Sequence, residues 1–144
     1  LEEGIVPGGG VALLKARKAL AKVKEATEEA DVRIGIDILY TALAEPIKGI
    51  ARNAGADEGW ILRKVEESTV ADYGFNVMTM TFGSMYKAGI VDPAKVTRSA
   101  VQNAASVATM ILTTECLIAD IPEKKPELPA GAGMGMPGGM DGMY

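Results

Sequence analysis

The sequence predicts a mainly α-helical fold, a helical bundle that carries one small β-hairpin. Three observations predict it. Apolar residues recur at helical spacing through most of the chain. Pro46 and Pro93 stand where a helix can begin but not continue. Strand-favouring residues gather in one stretch, Val70–Ile90, which glycines punctuate. At 144 residues the chain has the length of one ordinary domain, and a 48% hydrophobic composition supplies a core and argues against a disordered chain.

Over Gly10 to about Glu25, Leu13, Leu14, Leu20 and Val23 mark the inner face of a first helix, and Lys15, Lys18 and Lys22 share a solvated opposite face. A second helix is predicted from near Asp31 to Ala44, burying Ile34, Ile38, Leu39, Ala42 and Leu43. Glu45-Pro46 breaks it and starts a third, which buries Ile47, Ile50 and Ala54 and stops at Gly55 as a left-handed cap. Asp57 caps a fourth helix carrying Ile61, Leu62 and Val65. Val70–Ile90 then forms the hairpin or a structured loop. Asp92-Pro93-Ala94-Lys95 starts the last helix, with Asp92 as the side-chain cap and Pro93 at the first position. That helix runs to about Glu115 and is apolar or small over a wide arc (Val96, Ala100, Val101, Ala104, Val107, Ala108, Ile111), which predicts a central buried helix. Cys116–Ile121 alternates weakly, as a final strand would. Residues 123–144, rich in Gly and Met, are predicted to be disordered, because they offer too little apolar surface to offset ordering. Gly133–Gly138 matches a dinucleotide-binding glycine pattern, but no strand precedes it and no helix follows.

Composition narrows the chemistry. The net charge is −4, so no basic field favours nucleic acid. Without histidine there is no His-based triad and no His-ligated metal. The single cysteine, Cys116, excludes an internal disulfide and fits a reducing compartment. No apolar run approaches a membrane span and the chain opens on no visible signal peptide, so a cytoplasmic location without membrane contact is expected. The opening Leu1–Glu3 reads as the end of an element already under way, so a piece of a longer protein is expected.

Few residues are candidates for a site. Gly8-Gly9-Gly10 before a helix lets backbone approach an anion at the helix's positive end, or serves only as a tight turn or a close helix contact. Spacing alone favours the turn or contact, since no Gly-Lys-Ser/Thr follows. Asn76 reads as a turn residue. Glu2-Glu3, Glu28-Glu29 and Glu66-Glu67 read as surface carboxylates, and Met78, Met80, Met85 and Met110 as core.

Three stretches taken together add a family. "EEGIVPGGGVALL" (2–14), "DYGFN" (72–76) with "AGIVDPAKVTRSAVQNAASVATMILTTEC" (88–116), and the Gly-Met tail closely resemble the C-terminal part of bacterial group I chaperonins, the GroEL family of sixty-kilodalton chaperonins. The resemblance covers essentially the whole chain. It implies an ATP-dependent protein-folding machine of two stacked seven-membered rings, in which residues 1–122 are the C-terminal half of the equatorial domain. It also implies nucleotide contacts at Gly9 through backbone, at Asn76, Val77 and Met78 around the adenine, and at Ile90 and Asp92 along base and ribose. Gly4 would be a hinge. The implied cofactor is ATP or ADP with magnesium, whose ligands lie outside this chain. The implied partners are other chaperonin subunits, with a lid co-chaperonin and unfolded clients meeting domains absent here.

For the chain by itself the expectation is poor ATP binding, no hydrolysis, and at most a role as a helical association module. A helical core of Leu13, Ile38, Ile50, Val101 and Ala108 is expected, with self-association through the Cys116–Ile121 edge and the uncovered equatorial surface.

Overall fold

A computed structural model describes residues 2–121. The elements run β1 (Ile5–Pro7), α1 (Val11–Glu25), α2 (Ala30–Ala42), α3 (Glu45–Asn53), α4 (Glu58–Glu67), β2 (Tyr73–Asn76), β3 (Thr81–Ser84), β4 (Val91–Pro93) and α5 (Ala94–Leu112). Mainly helical with a small hairpin is therefore the observed class. The Gly-Met tail and its glycine pattern lie outside the described residues.

The core is small and sits at the N-terminal end of α1. Val11 and Leu14 meet Ala44, Ile47 and Ala51 of the α3 region, Ile61 and Val65 of α4, Phe75 of β2, and Met85. Local signals place these helices well. The Asp57 carboxylate accepts the Trp60 N–H at 2.8 Å and opens α4 as an N-cap, while Gly55 behind α3 takes a left-handed φ of 70°. β2 and β3 pair antiparallel, Phe75 opposite Phe82. Phe82 lies edge-on to Trp60 with ring centroids 5.0 Å apart, which docks the hairpin on α4.

Several expectations fail, each for a tertiary reason. No α2 residue is buried; Ile34 is 58% and Ile38 57% exposed, Ala42 is exposed, and only Leu43, just past the helix, enters the interior. Polar and aromatic contacts attach α2 instead. Lys24 pairs with Asp37 at 2.6 Å, and the Arg17 guanidinium lies 3.7 Å from the Tyr40 ring centre. Arg17 also reaches Glu66 at 3.0 Å, so Glu66 is no idle surface carboxylate.

The α5 helix is not central either. None of its residues is buried, and beyond Val101 every residue is exposed. An open apolar groove of about 450 Å³ runs between α1 and the start of α5, lined by Leu13, Leu20, Leu39 and Val101 among others. The predicted core of Leu13, Ile38, Ile50, Val101 and Ala108 is thus displaced: Leu13, Ile50 and Val101 are half-buried, while Ile38 and Ala108 are exposed. Of the four methionines assigned to the core, only Met85 is there; Met78 is 88% exposed, and Met80 and Met110 are also out. Residues Cys116–Ile121 form no strand, because both described ladders, β1 with β4 and β2 with β3, are two-stranded and neither reaches them.

Two further corrections concern charge. Lys15 does not lie on a solvated face: its ammonium donates to the carbonyls of Val65 and Ser68 at 2.7 and 2.6 Å, satisfying the C-terminal end of α4. Burial, and secondarily Lys18, holds its pKa below the usual lysine value, against a smaller opposing pull from Glu66. Asp92 does not cap α5. It is the middle residue of β4, paired with Val6, so Pro93 becomes the N-cap and no side chain caps the helix. The ladder holds Asp92 extended one residue before the capping position.

This difference predicts unequal costs. Asp57→Ala should destabilise the chain by about 1 kcal/mol through loss of the α4 cap, whereas Asp92→Ala should cost no capping energy. Urea denaturation of the two variants decides it; equal losses would restore Asp92 as a cap.

Candidate functional site

The glycine turn is built from both ends. The Gly8 N–H donates to the Ile90 carbonyl at 3.0 Å, which brings the turn against the segment entering β4. Gly10, with φ 78°, is the N-cap of α1; it offers no side-chain cap, and the first turn carries no acidic residue. The positive end of α1 is therefore left to backbone N–H groups, which suits an anion. The turn is also a close helix contact, because a Cβ on Gly10 would lie 2.7 Å from the Ile47 backbone nitrogen. The close-contact reading of the three glycines thus holds at Gly10.

Ile90 packs on the core beside the turn, and Val91 and Asp92 follow it into β4, where β1 pairs antiparallel from Ile5 to Pro7. Asp92 is half-buried in that ladder. On the other side, the hairpin reaches the turn through Gly74, which lies directly on Val11 and Met85. Asn76 ends β2, and its side-chain oxygen accepts the Met78 N–H at 2.9 Å. Val77 packs against the same core as Ile90, while Met78 stands free, and Met80 closes the loop with a left-handed φ of 55°. Gly9, Ile90 and Asp92 accordingly lie together at the start of α1 and α5. The segment Asn76–Met78 follows Gly74 along β2 and reaches the same core through Val77.

Gly4, with φ 77° and open space around it, precedes β1, and its carbonyl accepts the Ala94 N–H at 3.0 Å. Glu2 pairs with Lys95, and Glu3 with Arg98 at 2.6 Å. The Arg98 hydrogen bonds hold the Glu3 carboxyl below the usual carboxylate range. Glu2 and Glu3 thus tie the leading segment to the first turns of α5, across the candidate hinge.

Sequence reasoning missed β1, its partner β4 and the close contact at Gly74. A signal existed for the last of these: an isolated glycine inside a strand pattern marks a close backbone approach. Among the described residues no group of three or more Cys, Asp or Glu could hold a metal ion. No described helix is long and apolar enough to cross a membrane.

The fold has solved relatives. It is similar to the open-state monomer of a group II chaperonin from Methanococcoides burtonii, with a TM-score of 0.71 at 22% sequence identity. The similarity covers 76% of this chain and 28% of that one, so the chain spans a little over a quarter of its neighbour's length. Residues 1–122 match the family model described as the TCP-1/cpn60 chaperonin family. That match takes in the glycine turn, the hairpin and the β4–α5 junction in one stretch, and the chain belongs to the TCP-1/cpn60 chaperonin family.

Proposed function

We propose that this chain is the nucleotide-binding and ring-contacting part of an ATP-driven chaperonin of the group I type. The observation that carries it is the glycine turn: an α1 N-terminus free of any side-chain cap, packed against Ile90 and the strand that bears Asp92. In this reading the backbone at Gly9 contacts phosphate, Asp92 accepts a ribose hydroxyl, Ile90 lines the base, and Asn76, Val77 and Met78 border the adenine. Magnesium, held by residues outside those described, would neutralise phosphate charge when bound. The described residues bind and orient the nucleotide, and the chain by itself hydrolyses none. "VDPAKVTRSA", "TTEC" and the Gly-Met tail favour the group I type.

Assembly with other chaperonin subunits is the second role. The apolar residues left uncovered on α2 and α5, including Ile34, Ile38, Val107 and Ile111, favour it. Gly4, directly after the ion-paired Glu2 and Glu3, serves as the hinge.

Asp92 offers the direct test, because it caps no helix and its replacement leaves α5 in place. In the full-length protein carrying this sequence, Asp92→Ala should weaken ADP binding about tenfold, the loss of one or two good hydrogen bonds. Isothermal titration reads it. A parent protein that binds no ADP, or a variant that binds as tightly as its parent, refutes the assignment.

A further inference from the structure

Gly74 is a glycine for reasons of space. A Cβ there would stand 2.5 Å from Val11 Cγ2, 2.8 Å from Met85 Cγ and 2.9 Å from Met85 Sδ. Its backbone is not left-handed, so conformational freedom does not explain it. Its cross-strand partner Gly83 has open space around the same position, so the hairpin as such does not require glycine.

Met85 is the other half of this contact. It is 1% exposed, and its sulfur also lies under the glycine turn, 3.9 Å from where a Gly9 Cβ would be. Its backbone ties the parts together: the Met85 N–H donates to Asp72 O at 2.8 Å, and its carbonyl accepts the Ile90 N–H at 2.9 Å. Ile90 in turn accepts from Gly8. One buried residue therefore touches the hairpin, the turn and the entry to β4.

We propose that the Gly74–Met85 contact is a spacing device that sets base selectivity. This rests on the nucleotide site proposed above. Gly74 stands two residues before Asn76 on β2, so a side chain at Gly74 lifts Asn76 and the following loop away from α1. The glycine turn stays, because Gly8 is held by Ile90, and Gly10 by its seat on Ile47. Phosphate-side contacts are kept while base-side contacts move. Gly74 and Met85 act here as positioning residues, since both work through Asn76–Met78.

The test compares ADP with GDP, by isothermal titration, in the full-length protein. For Gly74→Ala we expect ADP to bind about tenfold more weakly while GDP changes little, so that the preference for ADP collapses; about tenfold is the loss of one or two good hydrogen bonds to the base. Adding Val11→Ala, which removes the nearest clashing methyl, should restore the preference. A purely structural role would lower thermal stability and weaken both nucleotides together. Where Gly74→Ala does not fold, Met85→Leu is read instead: it keeps the total volume but branches at the Cγ beside Gly74, so a changed ADP-to-GDP ratio is expected. A ratio equal to the parent's in the folded variant, or equal weakening of both nucleotides, overturns the spacing device alone. A parent that binds no ADP overturns the nucleotide site and the spacing device with it.

Discussion

Gly10→Ala is expected to be among the most damaging single-methyl additions in the chain. Two costs fall on one residue. Gly10 has φ 78°, a left-handed conformation that an L side chain adopts at about 1–2 kcal/mol. The new Cβ would also meet Ile47 of α3, 2.7 Å from its nitrogen and 3.0 Å from its Cα and Cβ. That neighbour is helix backbone, so relief requires moving α3 away from α1, and overpacking of this kind costs about 1–3 kcal/mol. Together the loss is about 3 kcal/mol, much of the stability of a small domain. Gly55→Ala is the control, since Gly55 has a similar φ of 70° but nothing within 4 Å. It should lose only the conformational part. Chemical denaturation of both variants isolates the helix contact by difference, and equal losses would show that α1 and α3 are less tightly apposed.

Leu14→Ala should cost about 2–5 kcal/mol, because a fully buried leucine leaves a cavity its neighbours only partly fill. Leu14 is 2% exposed and sits among the core residues of α3 and α4. Ile38→Ala provides the contrast. Helical spacing puts Ile38 in the core, yet its side chain stands over half in solvent, so the same truncation should cost less than about 0.5 kcal/mol in this 144-residue chain. Urea midpoints separate the two. A large loss at Ile38 would show that α2 buries its apolar stripe in solution, by self-association if the loss depends on protein concentration.

These contrasts mark what could be read locally and what could not. Helix positions were legible because their signals act within a few residues. Asp57 bonds a nitrogen three residues ahead, Gly55 needs only its own φ, and Pro46 suits the first turn of α3 through its own ring. The hairpin was legible for the same reason, as strand-favouring residues lie on either side of a short loop. Periodicity also identified apolar faces on α2 and α5, but a face says only that something should cover it. Which faces are covered within this chain depends on which helices meet, and here α1, α3 and α4 meet while α2 and α5 stay at the edge.

The site divides along the same line. By itself the sequence determined that the glycines precede a helix, and its resemblance to a family supplied the residues proposed to surround a nucleotide. Only the tertiary structure decided what each glycine does and where Asp92 stands. Gly8 meets Ile90, Gly10 meets Ile47, and Gly74 meets Val11, all across long stretches of chain, while Gly74 also meets Met85 across the hairpin. Asp92 lost its predicted capping role because a distant strand, Ile5–Pro7, pairs with its backbone and holds it extended. Local propensity is a property of neighbours in sequence, whereas close approach and strand pairing belong to neighbours in space, and only folding brings those together.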